Sequence, residues 1–141
     1  MKTINKLTDI KKLSVFSYDY EVFWIPNARA FYKAKYPEDD SEVWGWCAFE
    51  ENRIYIDEMF TQSNIARGAE ILLHEWVHAG HEFLGLDDKS TEEQFTDMSA
   101  KMIIQYMKGE PEVFQYLFNM IHGIPAKKKT KPSSRSKLNN N

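Results

Sequence analysis

The sequence predicts an α+β fold: a small sheet of three to four strands packed on helices. Runs rich in aromatic and β-branched residues, separated by turn residues, fill the first 57 positions. From position 64 onward, apolar residues recur at helical spacing instead. Strands first and helices afterwards is the layout of an α+β domain. The chain has 141 residues, 43% of them hydrophobic, which suits one domain with a small core.

Residues 1–14 carry Ile4, Leu7, Ile10 and Leu13, and this spacing predicts a short helix. Residues 18–25 are aromatic and β-branched and stop at Pro26, so they read as a strand. Residues 28–36 suit a strand or a helical turn equally. Residues 37–41 begin with proline and are polar, which makes a loop. Residues 43–49 and 53–57 read as two strands joined by a turn at Glu50, Glu51 and Asn52, and a hairpin is the natural pairing. Ser63 or Asn64 caps the next helix, which runs to about Phe83 and meets Gly85 as its stop. A long helix follows Ser90 and Thr91 and closes at Gly109. Its main apolar stripe is Phe95, Met98, Met102 and Tyr106. A second stripe of Ala100, Ile104 and Met107 predicts neighbours on two sides. Pro111 suits the first position of a last helix, with Val113, Phe114, Leu117, Phe118 and Ile121 facing the core. These elements make one domain over residues 1–125. Residues 126–141 are Lys, Ser and Asn with nothing apolar recurring, a composition that predicts a disordered basic tail.

Charge is unevenly shared. Residues 127–137 hold six of the 18 basic residues and no acid, which leaves 12 bases against 21 acids elsewhere, a net charge of −9 on the body. The single cysteine, Cys47, rules out a disulfide framework within the chain and a cysteine-rich zinc site. The N-terminus lacks the apolar core of a secretion signal, and no apolar run approaches the roughly 20 residues of a membrane span. The expectation is a cytoplasmic protein with no membrane partner.

The chemistry centres on His74-Glu75-Trp76-Val77-His78. Histidines four apart on a helix project from one face, and their imidazoles can grip one Zn2+ ion. The glutamate between them lies beside the ion, where it can take a proton from water. The flanking Ile71, Leu72, Leu73, Trp76, Val77 and Ala79 are uncharged, as a buried metal helix requires.

A catalytic zinc site has three protein ligands and leaves the fourth position open. His81 lies near the same helix face as His74 but about 10 Å along the axis, too far to share an ion from a straight helix. It reads instead as a pocket-wall or surface histidine. Glu93 and Asp97 share one face of the following helix. Glu93 is the preferred third ligand, and Glu92 is the alternative. Asp97 is expected to accept the outer N–H of a ligating histidine and hold its ring in place. Ser90 and Glu93 also form a capping box, which would occupy Glu93. Thr91 and Gln94 form an equally good one, which would free it.

His74, Glu75, His78, Glu93 and Asp97 together resemble the gluzincin branch of zinc metallopeptidases, the thermolysin-like arrangement. The resemblance spans residues 53 to about 108, and the small size is similar to compact zincins of phages and mobile elements. It implies a zincin-like fold: a small sheet on an active-site helix and a second, Glu-bearing helix, followed by a C-terminal helix. It also implies zinc on His74, His78 and Glu93, Glu75 as catalytic base, and Asp97 supporting a ligand. In that family the strand before the metal helix forms the edge against which an extended substrate lies, and residues 53–57 occupy that place. The residue before the glutamate ligand, an asparagine in the family, is Glu92 here.

The expected function is hydrolysis of peptide bonds in a protein or peptide substrate. A further donor to the oxyanion is needed, and Tyr106, His81 and His122 are the candidates. The competing expectation is a catalytically silent zincin-fold interaction protein, with nucleic acid a less favoured partner for its basic tail.

Overall fold

The structure is a computed structural model that describes residues 3–124, without the side chains of Glu92, Thr96 and Asp97. The expected tail at 126–141 and the roles expected of Asp97 and Glu92 therefore lie outside the described residues. Within them the chain is α+β, with a four-stranded mixed sheet. Strand β1 (Lys12–Val15) forms a hairpin with β2 (Tyr18–Ile25), and β2 pairs in parallel with β4 (Arg53–Asp57). Strand β3 (Gly45–Ala48) pairs antiparallel with β4, as the sequence predicts, so the order is β1-β2-β4-β3. Helix α1 (Ala28–Lys35) follows β2. Helices α2 (Ile65–Phe83), α3 (Glu92–Gly109) and α4 (Pro111–Ile121) complete the chain.

Side-chain alternation along the strands sorts the core into two layers. Tyr20 and Val22 of β2 and Ile54 and Ile56 of β4 face α2, where they meet Ile71, Leu72, Trp76 and Ala79. Trp46, Ala48 and Tyr55 face the other way and pack with Ala28 of α1. Buried polar bonds tie the layers together. Asp57 accepts from the Ala28 N–H at 2.8 Å, and the Trp76 indole donates to the Ser14 carbonyl at 3.0 Å. Glu110, between α3 and α4, accepts from the Ser14 N–H and hydroxyl at 3.1 and 2.8 Å.

Four expectations need correction. Residues 1–14 are not a helix: a short 3-10 turn at Leu7–Asp9 leads into β1. Leu7, Ile10 and Leu13 are all buried, so the apolar set is the core set, but a turn and a strand place it there. Residues 53–57 are not the sheet edge. β4 lies between β2 and β3, and the open edge on that side belongs to β3. The second stripe of α3 is not covered by any element among the described residues: Ile104 is 52% and Met107 50% exposed. On α4, Phe118 is exposed, and Tyr116 joins Val113 and Leu117 in the core instead.

Candidate metal and hydrolytic site

Helix α2 carries the motif across the sheet. Its start is set by Asn64, in the left-handed region at φ 53°, whose side chain accepts from the Arg67 N–H. Asparagine tolerates this conformation and is a good cap. Gly85, at φ 68°, lies just beyond the helix end, a place where glycine avoids the Cβ clash. Gly45 and Gly68 let the helix sit close. A Cβ on Gly45 would lie 2.9 Å from Ile71, and one on Gly68 would lie 2.8 Å from Leu7. The helix thus touches β3 directly at the level of the motif.

His74 and His78 emerge on the exposed crest of α2. Their Nε2 atoms converge to 2.9 Å, and their rings lie edge to face. Two nitrogens bound tetrahedrally to one zinc at about 2.0–2.1 Å would lie roughly 3.3 Å apart, so the pair needs only a small spread to share an ion. Partial burial lowers the His78 pKa, and neighbouring His74 and His81 lower it further. Both causes favour the neutral imidazole, the form that binds metal.

Glu75 points the other way, toward β3, and is only 7% exposed. Burial pushes its pKa up to about 7, while the backbone N–H of Cys47 donates to it and pulls in the opposite direction. That N–H is available because of strand register. The Asp57 N–H bonds the Trp44 carbonyl, so Trp46 and Ala48 are the residues that bond β4, while Gly45 and Cys47 turn their N–H groups to the open edge. A cleft of about 360 Å³ runs along this edge, between residues 42–45 and the first half of α2, with His74 and Glu75 in its lining. Glu42, Trp44 and Glu70 stand around its mouth. The arrangement offers two metal-binding nitrogens, a buried carboxylate that engages the Cys47 edge amide, and the outward N–H of Gly45 next to it.

Other expected site residues lie elsewhere. Tyr106 is 2% exposed, its ring is stacked on Trp76 at 4.1 Å, and its hydroxyl donates to the Trp76 carbonyl at 2.7 Å. It is a core residue there and presents nothing to a substrate. His81 is half-buried against α3, with Nε2 3.1 Å from the Ser99 hydroxyl and its ring edge-on to Phe95. His122 is exposed beside Phe118, at one end of an apolar groove between α2 and α4 lined by Leu73, Leu117 and Ile121.

The structure does not bring Glu93 to the histidine pair. Thr91 and Gln94 form the capping box, with bonds of 2.8 and 3.2 Å, so Glu93 is free and exposed. Its distance follows from the packing. Trp76 meets Tyr106, Gly80 lies against Met102, and His81 meets Ser99. The two helices therefore run antiparallel, and Glu93 falls near the level of residue 88, ten positions past His78. At 1.5 Å per residue that is about 15 Å along the axis. Among the described residues, no three His, Cys, Asp or Glu side chains stand together as a metal set. The histidine pair fits a zinc ion, and a third ligand is not among the described neighbours.

Sequence reading missed the β3 edge, the Cys47 amide and the Ser14–Glu110 bond. The first two have a signal, since a two-strand hairpin directly before the metal helix has only one strand free to be an edge. The third has none, because it joins residues 96 positions apart. No helix among the described residues is long and apolar enough to cross a membrane. No protein-family model matches the chain, and no curated protein or solved structure matches it either.

Proposed function

We propose that the chain is a zinc-dependent metallopeptidase in which His74 and His78 hold the ion and Glu75 is the general base. The observations that support this most are the convergence of the two Nε2 atoms at 2.9 Å and a buried Glu75 carboxylate that lines one cleft together with His74. A structural metal needs no such carboxylate. When bound, zinc supplies a Lewis acid that polarises a carbonyl and makes water acidic near neutral pH.

The chain's own residues supply the rest. The neutral imidazoles of His74 and His78 are the ligands. The Glu75 carboxylate takes the proton of the attacking water and then delivers it to the leaving amine. Burial raises its pKa to about 7 when no metal ion stands beside it, which makes it a better proton acceptor than an exposed carboxylate. The outward N–H of Gly45, on the open edge of β3 beside the Cys47 N–H that Glu75 engages, pairs with an extended peptide backbone lying along that edge. The β3 main chain, rather than residues 53–57, is then the substrate rail. Glu93 remains the proposed third ligand, which requires the first turns of α3 to move toward His78.

The test is Glu75→Gln, which keeps size and hydrogen bonding but cannot accept the proton. Wild type and variant are compared in a proteome-wide cleavage screen, with zinc content measured on both. We expect equal zinc and a loss of cleavage of about 10²-fold or more. Equal cleavage rates would remove Glu75 as the base. Glu93→Gln should lower zinc retention, and unchanged retention would remove Glu93 from the ligand set.

A further inference from the structure

We propose that the His74–His78 face is also a contact surface for a second copy of this chain, with one zinc ion shared between the histidine pairs of the two copies. The pair is exposed and convergent, yet the described residues of its own chain give it no third ligand. A structural zinc site takes four ligands, and two such pairs related by a two-fold axis supply four nitrogens.

Helix α3 carries exposed apolar side chains at the level of the pair, and none of the described residues covers them. The helix packing that carries Glu93 away from the pair sets another row of α3 at the pair's level along the axis. Ser99 meets His81, so Ile103 and Met107, four and eight residues on, fall at about the levels of His78 and His74 along the antiparallel pair of helices. Ile103 is 44%, Ile104 52% and Met107 50% exposed. A two-fold contact through the histidines brings this row against its own copy, the self-complementary arrangement of an isologous interface. Three half-exposed side chains per copy fall short of the roughly 1,000 Å² that a lasting interface buries. The pairing therefore depends on the ion. Four histidines on one zinc leave no open coordination position, so the paired form is closed to a substrate.

The test is light scattering on the full chain titrated with zinc chloride, with bound metal measured on the separated species. We expect the mass to double and to saturate at one zinc per two chains, and a chelator to return the single chain. His78→Ala should abolish the doubling. Met107→Glu, an exposed change that leaves both histidines in place, should shift the doubling to at least tenfold higher protein concentration. Zinc bound at one per chain with no change of mass would overturn the pairing and leave the peptidase proposal standing. Doubling that survives His78→Ala, or mass that grows past two chains without saturating, would also overturn it.

Discussion

Glu75 and Tyr106 show how much burial changes the meaning of a residue. Both are nearly inaccessible, but Glu75 opens on a cleft while Tyr106 is closed in by Trp76 and Met102. Tyr106→Phe should therefore cost about 1 kcal/mol of stability, the value of one hydrogen bond, and leave hydrolysis unchanged. A melting curve and a cleavage rate on the same sample decide it. A large loss of rate with no loss of stability would return Tyr106 to the site. A second residue-scale prediction concerns Asp39. Hydrogen bonds from Ser41 and Tyr32 hold its pKa down to about 2, below the ordinary 3.8. A depressed carboxylate adds stability that is full above its unfolded pKa and fades as pH falls through the folded one. Asp39→Asn should thus be less stable than wild type at pH 6, and the gap should narrow as pH falls through about 2 and close below it in chemical denaturation. A gap that does not narrow between pH 6 and pH 2 would exclude ionisation as its source. At this scale the motif was legible, because i, i+4 spacing is a local property. The distance from His78 to Glu93 was not, since it depends on how two helices pack.

Among the elements, the α2–α3 contact governs the site most directly. Gly80 allows it: a Cβ there would run into the Met102 sulfur and lie 2.6 Å from the Tyr106 hydroxyl. Gly80→Ala should destabilise the domain by about 1–3 kcal/mol, the usual cost of overpacking, despite alanine's better helix propensity. Thermal denaturation checks the sign, and a stabilised variant would mean that α3 yields easily. That second outcome would also ease the movement that Glu93 needs to reach His78. Most elements were legible in sequence. β2 alternates and stops at a proline, and α2 has a cap, an apolar face and a glycine end. The N-terminal segment misled because apolar residues three apart fit a helix and also fit a turn followed by a strand. The outer stripe of α3 misled differently. Apolar periodicity marks a face that wants cover, and here no neighbour among the described residues covers it.

For the whole molecule, composition and the order of elements were enough to expect an α+β domain. Strand order was not legible, because hydrophobic pattern says which side of a strand is buried and not which strand lies next to it. The consequence concerns how the chain comes to fold. β4 is the last strand in sequence and yet an interior one, and its parallel partner β2 ends 28 residues before β4 begins. Until residue 57 is available, the N-terminal part holds the β1–β2 hairpin, marginal alone, with α1 and a β3 that lacks its partner strand. The motif helix follows at once and needs the completed sheet beneath it. A fragment ending at residue 52 should therefore lack persistent structure by circular dichroism. In the whole chain, the amides shared by β2 and β4 should exchange with solvent among the slowest, since opening them opens the core. Fast exchange there beside slow exchange in α2 would mean that the helices hold together without the sheet.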